Sequence, residues 1–166
     1  LPRGPLAYQV NFFDVADANR PDPSQYFNDV YTNNWFFNAV EYVYEKGIMS
    51  GMGSSRFQPS TTLTRAMAVQ LFYNLDGQPS LDDENLGYPF DDVDSGAWYA
   101  NAVYWARLHQ VASGTGEDTF SPNVPINREQ FAQMLYGYAK YKGYDVTTKA
   151  DLSAFQDSGK ISSWAM

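Results

Sequence analysis

The chain repeats itself at a fixed distance, and this duplication is the strongest constraint on its fold. When residues 27–76 are placed over residues 90–139, a shift of 63 without a gap, 15 of the 50 positions are identical. Many identities are tryptophan, glycine, proline and phenylalanine, which coincide by chance far less often than alanine or leucine. Repeats of this length are typical of tandem units that pack on one another, because one short unit alone buries too little apolar surface.

A third copy begins near the C-terminal end of the sequence. Phe155-x-Asp157 matches the opening Phe90-x-Asp92, and Trp164 follows where the repeat predicts a tryptophan. We expect this copy to stop within its first helix. The resulting organisation is a lead segment (1–25), repeat one (26–77), a connector (78–88), repeat two (89–143), a second connector (144–154) and the start of a truncated third repeat (155–166).

Each full repeat opens with the spacing of an amphipathic helix. In repeat one the apolar positions are Trp35, Phe36, Ala39, Val40 and Val43, and repeat two has the same spacing from Trp98. The spacing therefore predicts that these tryptophans lie on the apolar helix face and are at least half buried.

Polar residues before each helix and a residue after it predict its ends. The candidate N-caps are Asn33 or Asn34 in repeat one and Asp94 or Ser95 in repeat two. Gly47 is a natural left-handed residue at the C-terminal end, and Gln110 stands at its place in repeat two, which predicts a weaker cap there.

A glycine-rich loop and a Phe-x-Pro segment follow, and then a second helix. The loops contain Gly51 and Gly114, and the proline of Phe-x-Pro delays the next helix. Thr64 caps the second helix of repeat one, and Asn127 with Gln130 predicts a full capping box in repeat two. The expected apolar faces are Val69, Phe72 and Tyr73 in one helix and Phe131, Leu135 and Tyr138 in the other. The sequence thus predicts an all-α fold of tandem helix–Gly loop–helix repeats.

Composition excludes several function classes. The chain has no cysteine, so thiol catalysis, disulfides and cysteine-ligated metals are excluded, and its single histidine, His109, cannot build a multi-histidine zinc site. The net charge of −8 disfavours nucleic acids and anionic membrane surfaces as partners. The sequence has no apolar run of the length, about 18 residues, that a membrane-spanning helix needs, so we expect no membrane insertion.

The ordered motifs resemble the S-layer homology (SLH) repeat of bacterial cell-surface proteins. The residues that carry the resemblance are Phe27-x-Asp29-Val30, Trp35, Ala39-Val40, Gly47-Ile48-x-x-Gly51, Phe57-x-Pro59 and Leu63-Thr64-Arg65-Ala66, with the corresponding series from Phe90 to Arg128. The resemblance covers about two thirds of the chain, and the order of the motifs, found twice, is more specific than any one of them.

The resemblance implies a pseudo-threefold helical bundle with grooves between neighbouring repeats. It also implies an extracellular module at the bacterial cell surface, without catalysis, cofactor or metal. Such a module anchors proteins non-covalently to an anionic secondary cell-wall polysaccharide, often a pyruvylated one. Within this resemblance, an arginine in each groove meets the acidic sugar, and glycines and a tryptophan line the groove.

Carried over residue by residue, the resemblance implies two glycan-binding grooves. The first would combine Gly51, Gly53 and Arg65 with Trp98, and the second Gly114, Gly116 and Arg128 with Trp164. A guanidinium makes bidentate bonds to a carboxylate, and glycine allows a close backbone approach. The chain departs from the SLH pattern at Met67 and Gln130, where the usual residue is glutamate, and at Asn127, where it is threonine.

Structural alternatives remain open for the same residues. Either arginine can pair with a neighbouring acid, and Asp29, Asp92 and Asp157 fit loop hydrogen-bond acceptors better than ligands. Asp92-x-Asp94-x-Gly96 resembles the start of a calcium loop, but the twelfth position is Val103 instead of glutamate.

Two other function classes compete with glycan anchoring. One is an assembly module that docks another surface protein or self-associates through the incomplete third repeat. The other is a glycan-cleaving enzyme, which would need two carboxylates at a fixed separation. No such pair recurs outside the Phe-x-Asp openings, which makes an enzyme the weakest of the three hypotheses.

Overall fold

The computed structural model describes residues 22–81, 90–148 and 150–165, and within them the fold is all-α, as predicted. Its helices are α1 (Phe37–Glu45), α2 (Arg65–Leu75), α3 (Ala100–Leu108) and α4 (Arg128–Tyr141), with four short 3₁₀ turns. The described part contains no strand, only one isolated antiparallel bridge between Thr64 and Pro125. None of the described helices has the length and apolarity needed to cross a membrane.

The carboxylate of the Phe-x-Asp opening holds the Phe-x-Pro segment of its own repeat. The two Asp29 oxygens accept the backbone N–H groups of Phe57 and Gln58, both at 2.8 Å. Asp92 does the same for Phe120 and Ser121, at 2.8 and 2.7 Å. These aspartates are therefore structural hydrogen-bond acceptors, as the sequence indicated. The middle residue of Phe-x-Pro, Gln58 in repeat one and Ser121 in repeat two, has a left-handed backbone conformation. The carboxylate therefore stabilises a conformation that is otherwise unfavourable.

The first helices begin later than predicted, and the predicted N-caps are wrong. Helix α1 starts after Phe36 and α3 after Tyr99, and neither has a side-chain cap. Asn34 and Asp94 instead accept backbone N–H groups within the preceding turn. These side chains hold the turn that contains the tryptophan, so the helix can begin only after it.

The second helices begin as predicted. The Thr64 hydroxyl accepts the N–H of Met67 at 3.3 Å, and Asn127 and Gln130 form a complete capping box. The first backbone N–H groups of α2 are satisfied by repeat two, because Arg65 N–H donates to Val124 C=O and Ala66 N–H to Pro122 C=O, both at 3.0 Å. Repeat two thus completes the helix start of repeat one.

Each of the four α-helices ends in a Schellman motif, in which the residue after the C-cap is left-handed. In α1 the Gly47 N–H donates to Tyr44 C=O and the Ile48 N–H to Val43 C=O. The left-handed residues of the four helices are Gly47, Gly77, Gln110 and Gly143. Gln110 adopts this conformation, at φ 57°, despite its Cβ atom.

The main core lies between α2, α3 and α4. Trp105 is fully buried, and the rings of Phe72 and Tyr138 lie 5.3 Å apart beside it. Fully burying one large apolar side chain stabilises a fold by about 1.5–3 kcal/mol. A smaller cluster around Phe27, Val30 and Val40 supports repeat one.

The prediction that Leu135 of α4 lies in the core is wrong. Leu135 is 50% exposed, and Met134 is buried in its place. Gly137 explains why the buried face of α4 differs from the predicted one. A Cβ at this position would lie 2.7 Å from the carbonyl oxygen of Gln110. The absence of a side chain lets α4 approach the backbone after α3, with Met134 and Tyr138 turned inward. The core residues predicted on α2, Val69, Phe72 and Tyr73, are buried as expected.

The start of the third copy differs from the other two. Phe155 is 60% exposed, whereas Phe27 and Phe90 are buried. Each buried phenylalanine packs against a loop glycine and the phenylalanine of Phe-x-Pro, and residues 150–165 contain no such segment. The C-terminal part is held instead by Glu129, whose carboxylate accepts the backbone N–H and the hydroxyl of Ser162, both at 3.1 Å.

A carboxylate also joins the ends of α2 and α4. Asp76 accepts a hydrogen bond from the Tyr141 hydroxyl at 2.9 Å and from Lys142 Nζ at 2.7 Å. Burial alone would raise the pKa of Asp76, but these two hydrogen bonds and the Lys142 charge outweigh it and bring the pKa below its ordinary value. The His109 ring lies 4.3 Å from that of Tyr141 at the same junction.

We predict that Gln110→Gly stabilises the chain. Removing the Cβ relieves the left-handed strain and should raise the free energy of unfolding by about 1 kcal/mol, or the Tm by about 3 °C. The matched control is Gly47→Gln, which should lower stability by a similar amount. Chemical denaturation measures both, and an unchanged or lower stability of Gln110→Gly would show that the loop carries no strain.

Asp76→Asn should remove an acid-dependent part of the stability. Because the folded-state pKa is depressed, the carboxylate stabilises the fold above its unfolded pKa of 3.8, and this contribution is lost as the pH falls through the folded value. At neutral pH we expect a loss of about 2 kcal/mol, typical of hydrogen bonds to a charged group. The difference in the free energy of unfolding between the variant and the unmodified chain should close below pH 3.8. The exposed control Asp118→Asn should change the free energy of unfolding at neutral pH by less than about 0.5 kcal/mol.

Candidate functional site

Two cavities are related by the same shift of 63 residues that relates the repeats. We call them the first cavity, about 700 Å³, and the second cavity, about 530 Å³. Each lies between the loop after the first helix of a repeat, the outer face of its second helix, and the tryptophan of the next copy. The pairs related by this shift are Gly47/Gln110, Ile48/Val111, Met49/Ala112, Ser50/Ser113, Gly51/Gly114, Met52/Thr115, Met67/Gln130, Gln70/Gln133 and Leu71/Met134. Trp98 and Trp164 also correspond, with a few extra residues before Trp164.

Arg65 lies in the wall of the second cavity, which belongs to the other repeat. As the first residue of α2, its side chain reaches forward into repeat two. Its Nε donates to the carbonyl oxygen of Phe120 at 2.8 Å and its Nη2 to that of Ser113 at 2.7 Å. The guanidinium carbon lies 4.8 Å from the centre of the Phe120 ring. The arginine therefore joins the two repeats and also contributes to the cavity between them.

The Arg65 side chain is buried, and none of the residues that the structure describes forms an ion pair with it at contact distance. It is 5% exposed. Burial lowers the pKa of its guanidinium below the ordinary value, and the charge of Asp92 opposes this lowering. A guanidinium stays protonated in a protein, so it brings a positive charge to the second cavity.

Trp35, Trp98 and Trp164, the tryptophans near the start of each copy, are exposed, so the prediction that they are at least half buried on a helix face is wrong. Trp98 is 62% exposed at the first cavity, and Trp164 is 52% exposed at the second. Trp35 lies outside both linings and is 93% exposed. The reason is local: the tryptophans of repeats one and two precede the helix in the turn held by Asn34 or Asp94, and Trp164 lies in a 3₁₀ turn.

The structure brings the predicted site residues together in a different grouping. Gly51 and Trp98 line the first cavity, and Gly114 and Trp164 line the second. Arg65 joins the second group. Gly53, Gly116 and Arg128 are exposed and lie outside both linings.

The grouping differs because the arginine belongs to the start of the second helix. That helix start is completed by the Phe-x-Pro segment of the following repeat, so the side chain reaches forward. Sequence spacing alone placed Arg65 with the glycine loop that precedes it in the chain.

The sequence reasoning missed several polar residues of the second cavity. Ser113, Thr115, Gln130 and Gln133 all line it. Gln70 and Gln133 are identical across the repeat, and this identity, on the outer face of the second helix, was the available signal.

The loop glycines closest to the cavities have a structural reason. A Cβ at Gly114 would lie 2.6 Å from the carbonyl oxygen of Thr119 and 2.7 Å from Phe90 Cε1. Gly51 makes the same close contact with Phe27 and has a positive φ of 82°. Each glycine therefore allows the opening phenylalanine of its repeat to pack against the loop.

Helices in tandem pairs, with a cavity and an exposed tryptophan at each junction, define a module of tandem helical repeats. The sequence model of the S-layer homology domain matches residues 26–68 and 89–132, more than half of the chain. The chain belongs to the S-layer homology family, whose modules anchor proteins to the bacterial cell wall, and this membership assigns it to the cell surface.

Relatives of two kinds match the chain. It is 30% identical over 98% of its length to an amylopullulanase from Thermoanaerobacterium thermosulfurigenes, of which it covers 8%. It is 28% identical over 76% of its length to the surface-layer 125 kDa protein of Lysinibacillus sphaericus, of which it covers 10%. An S-layer protein of Bacillus licheniformis is 29% identical over 75% of the chain, and the match covers 13% of that protein. The chain thus spans a small fraction of the curated relatives it matches.

Alanine at two neighbouring glycines should test the close packing of the loop at Gly114. Gly114→Ala forces its Cβ against two backbone oxygens and should destabilise the chain by about 1–3 kcal/mol. Gly116→Ala meets nothing closer than 3.7 Å and should stay within about 0.5 kcal/mol of the unmodified chain. Thermal unfolding checks both, and equal effects would contradict the close packing of Gly114 on Phe90.

Proposed function

We propose that this chain is a non-catalytic module that anchors a larger protein to the cell wall by binding an anionic secondary cell-wall polysaccharide. The acidic group that we favour is a carboxylate, such as that of a pyruvyl ketal. The observation that carries the proposal is the buried Arg65 charge in the wall of the second cavity, beside an exposed tryptophan.

The remaining hydrogen-bonding capacity of Arg65 supports this assignment. A guanidinium has five N–H groups, and two of those of Arg65 donate to backbone oxygens of repeat two. Both bonds hold the guanidinium in one orientation. Its other donors, together with Gln130 and Gln133, are suited to a carboxylate that enters the cavity.

The hydrogen bonds of Arg65 also orient its charge before a ligand arrives. They hold the buried guanidinium in place although no described residue pairs with it at contact distance, so an arriving carboxylate meets a charge that is already oriented. An exposed indole at the mouth offers a flat apolar surface to the carbon–hydrogen face of a sugar ring. The net charge of −8 repels an acidic polymer at long range, so the affinity must come from this local arrangement.

The best test changes the charge of the second cavity and measures binding to cell-wall sacculi. Arg65 itself joins the repeats, so its replacement would mix loss of binding with loss of structure. Gln133→Glu places a negative charge in the second cavity and should weaken binding to intact cell-wall sacculi about tenfold, which is 1.4 kcal/mol. The control Asn101→Asp adds the same charge at an exposed position of α3 outside both linings and should have little effect. Co-sedimentation measures both, with circular dichroism to verify folding.

Sacculi stripped of secondary polymer complete the experiment. We expect the unmodified chain to bind intact walls and to lose this binding on stripped walls. Equal binding to both walls, or Gln133→Glu binding as well as Asn101→Asp, would contradict recognition of an acidic glycan in the second cavity.

A second candidate function is assembly, and the exposed Trp35 of repeat one favours it. Trp35 is 93% exposed and its ring packs edge-on against Phe36 at 5.5 Å, outside both cavities. Such a residue suits docking of another surface protein or self-association. In sedimentation equilibrium, Trp35→Ala should reduce any association of the chain without changing its binding to sacculi, and an unchanged association would remove Trp35 from this role.

A further inference from the structure

The two cavities have the same position in their repeats but different linings. At three corresponding positions the first cavity has methionine, and the second has a smaller or polar residue. The pairs are Met49/Ala112, Met52/Thr115 and Met67/Gln130. Methionine side chains adapt to apolar groups of varied shape. The first cavity is therefore the more apolar of the two.

The first cavity also has no charged side chain among the described residues that line it. The second cavity receives Arg65 from the preceding repeat, and no described residue fills the corresponding place in the first cavity. An anion that entered the first cavity would lose hydration without gaining a cation, which is unfavourable.

A row of side-chain amides gives the first cavity its polar groups. Asn74 Nδ2 donates to the carbonyl oxygen of Ile48 at 3.0 Å, which fixes the orientation of the Asn74 amide. Its Oδ1 therefore accepts from Gln70 Nε2 at 2.8 Å and from Gln78 Nε2 at 3.0 Å. Gln70 and Gln78 therefore each donate to Asn74 within the row, and Asn74 donates to the backbone.

The acceptor that remains at one end of this row has no partner. Gln70 Oε1 is buried and makes no hydrogen bond to the described residues. An unpaired buried acceptor costs about 1–3 kcal/mol. A hydroxyl donor supplied by a ligand would satisfy it after a small side-chain rotation, whereas a carboxylate would not, because it has no proton to donate.

Trp98 completes the site at the mouth of the first cavity. It is 62% exposed, and its ring is held edge-on against Tyr99 with centroids 5.2 Å apart. A flat indole face, methionine side chains and acceptor amides together match a molecule with an apolar carbon–hydrogen face and hydroxyl groups at its edge. An uncharged pyranose sugar has this chemistry.

We propose that the first cavity binds an uncharged sugar unit, and that the two cavities of this chain therefore recognise different units of a cell-wall glycan. The proposal rests on the proposed function, because it assigns a ligand class to the cavity that lacks Arg65. The cation-containing second cavity takes the acidic unit, and the methionine-lined first cavity takes the neutral one.

The test uses two probes made from one polymer. Fragments of secondary cell-wall polysaccharide are used either intact or after mild acid has removed their ketal-linked acidic groups, and calorimetry measures the binding of each. We expect the neutral fragments to bind with an affinity that Trp98→Ala reduces at least tenfold and Trp164→Ala leaves unchanged. Since no charge is involved, raising the salt from 50 to 500 mM should leave this affinity unchanged as well.

A gain of function gives an independent readout. Met67→Lys places a cation in the first cavity, at the position that corresponds to Gln130. This variant should lower the affinity for the neutral fragments and raise the affinity for the intact acidic ones. The control Met52→Lys changes the charge by the same amount at a more exposed position of the lining and should have a smaller effect.

The outcomes separate this proposal from the proposed function. If the neutral fragments fail to bind, or depend on Trp164 instead of Trp98, the assignment of the first cavity is overturned, while intact fragments that require Trp164 would still support the second. If intact fragments bind only through Trp98, the proposed function fails at the second cavity.

Discussion

The fold depends on two hydrogen bonds of the Phe120 backbone, one to a carboxylate and one from a guanidinium. The Asp92 carboxylate accepts the N–H of Phe120, and the carbonyl oxygen of the same residue accepts from the Arg65 guanidinium. The Phe120 ring also lies under that guanidinium and is fully buried. The acid holds the Phe-x-Pro segment within repeat two, and this segment presents the oxygens that hold repeat one. Folding of one repeat thereby creates the acceptors for the other, and the second cavity forms at their junction.

The periodicity of the sequence was sufficient for much of this architecture. The all-α class, the starts of α2 and α4 and the left-handed end of α1 all follow from local rules, since capping side chains and left-handed glycines act within a few positions. The sequence predicted a weaker end for α3, where Gln110 nevertheless takes the left-handed conformation. Arg65, Gly114 and Trp164 line the second cavity in a grouping that differs from the predicted one, and their binding of a glycan stays a prediction.

The remaining features depend on contacts that lie outside any local window. Arg65 reaches acceptors 48 and 55 residues further along the chain, so spacing within one repeat placed it in the wrong group. Trp98 fits the apolar stripe of a helix in sequence, but the Asp94 side chain accepts a hydrogen bond within the preceding turn instead of capping the helix. The helix therefore begins only at Ala100, after the tryptophan. Leu135 fits the apolar face of α4, yet the missing side chain of Gly137 rotates that face away from it. In each case a tertiary contact overrides a periodic pattern.

The divergence of the two cavity linings has a consequence for the register of a bound polymer. Two identical sites would accept every register of a strand that places the same kind of unit in both. The second cavity contains Arg65 and the first does not, so the two sites are not interchangeable. Under the proposed ligand classes, only registers that place an acidic unit in the second cavity and an uncharged unit in the first fill both sites, so binding would depend on the spacing of the acidic units along the strand and not only on their number.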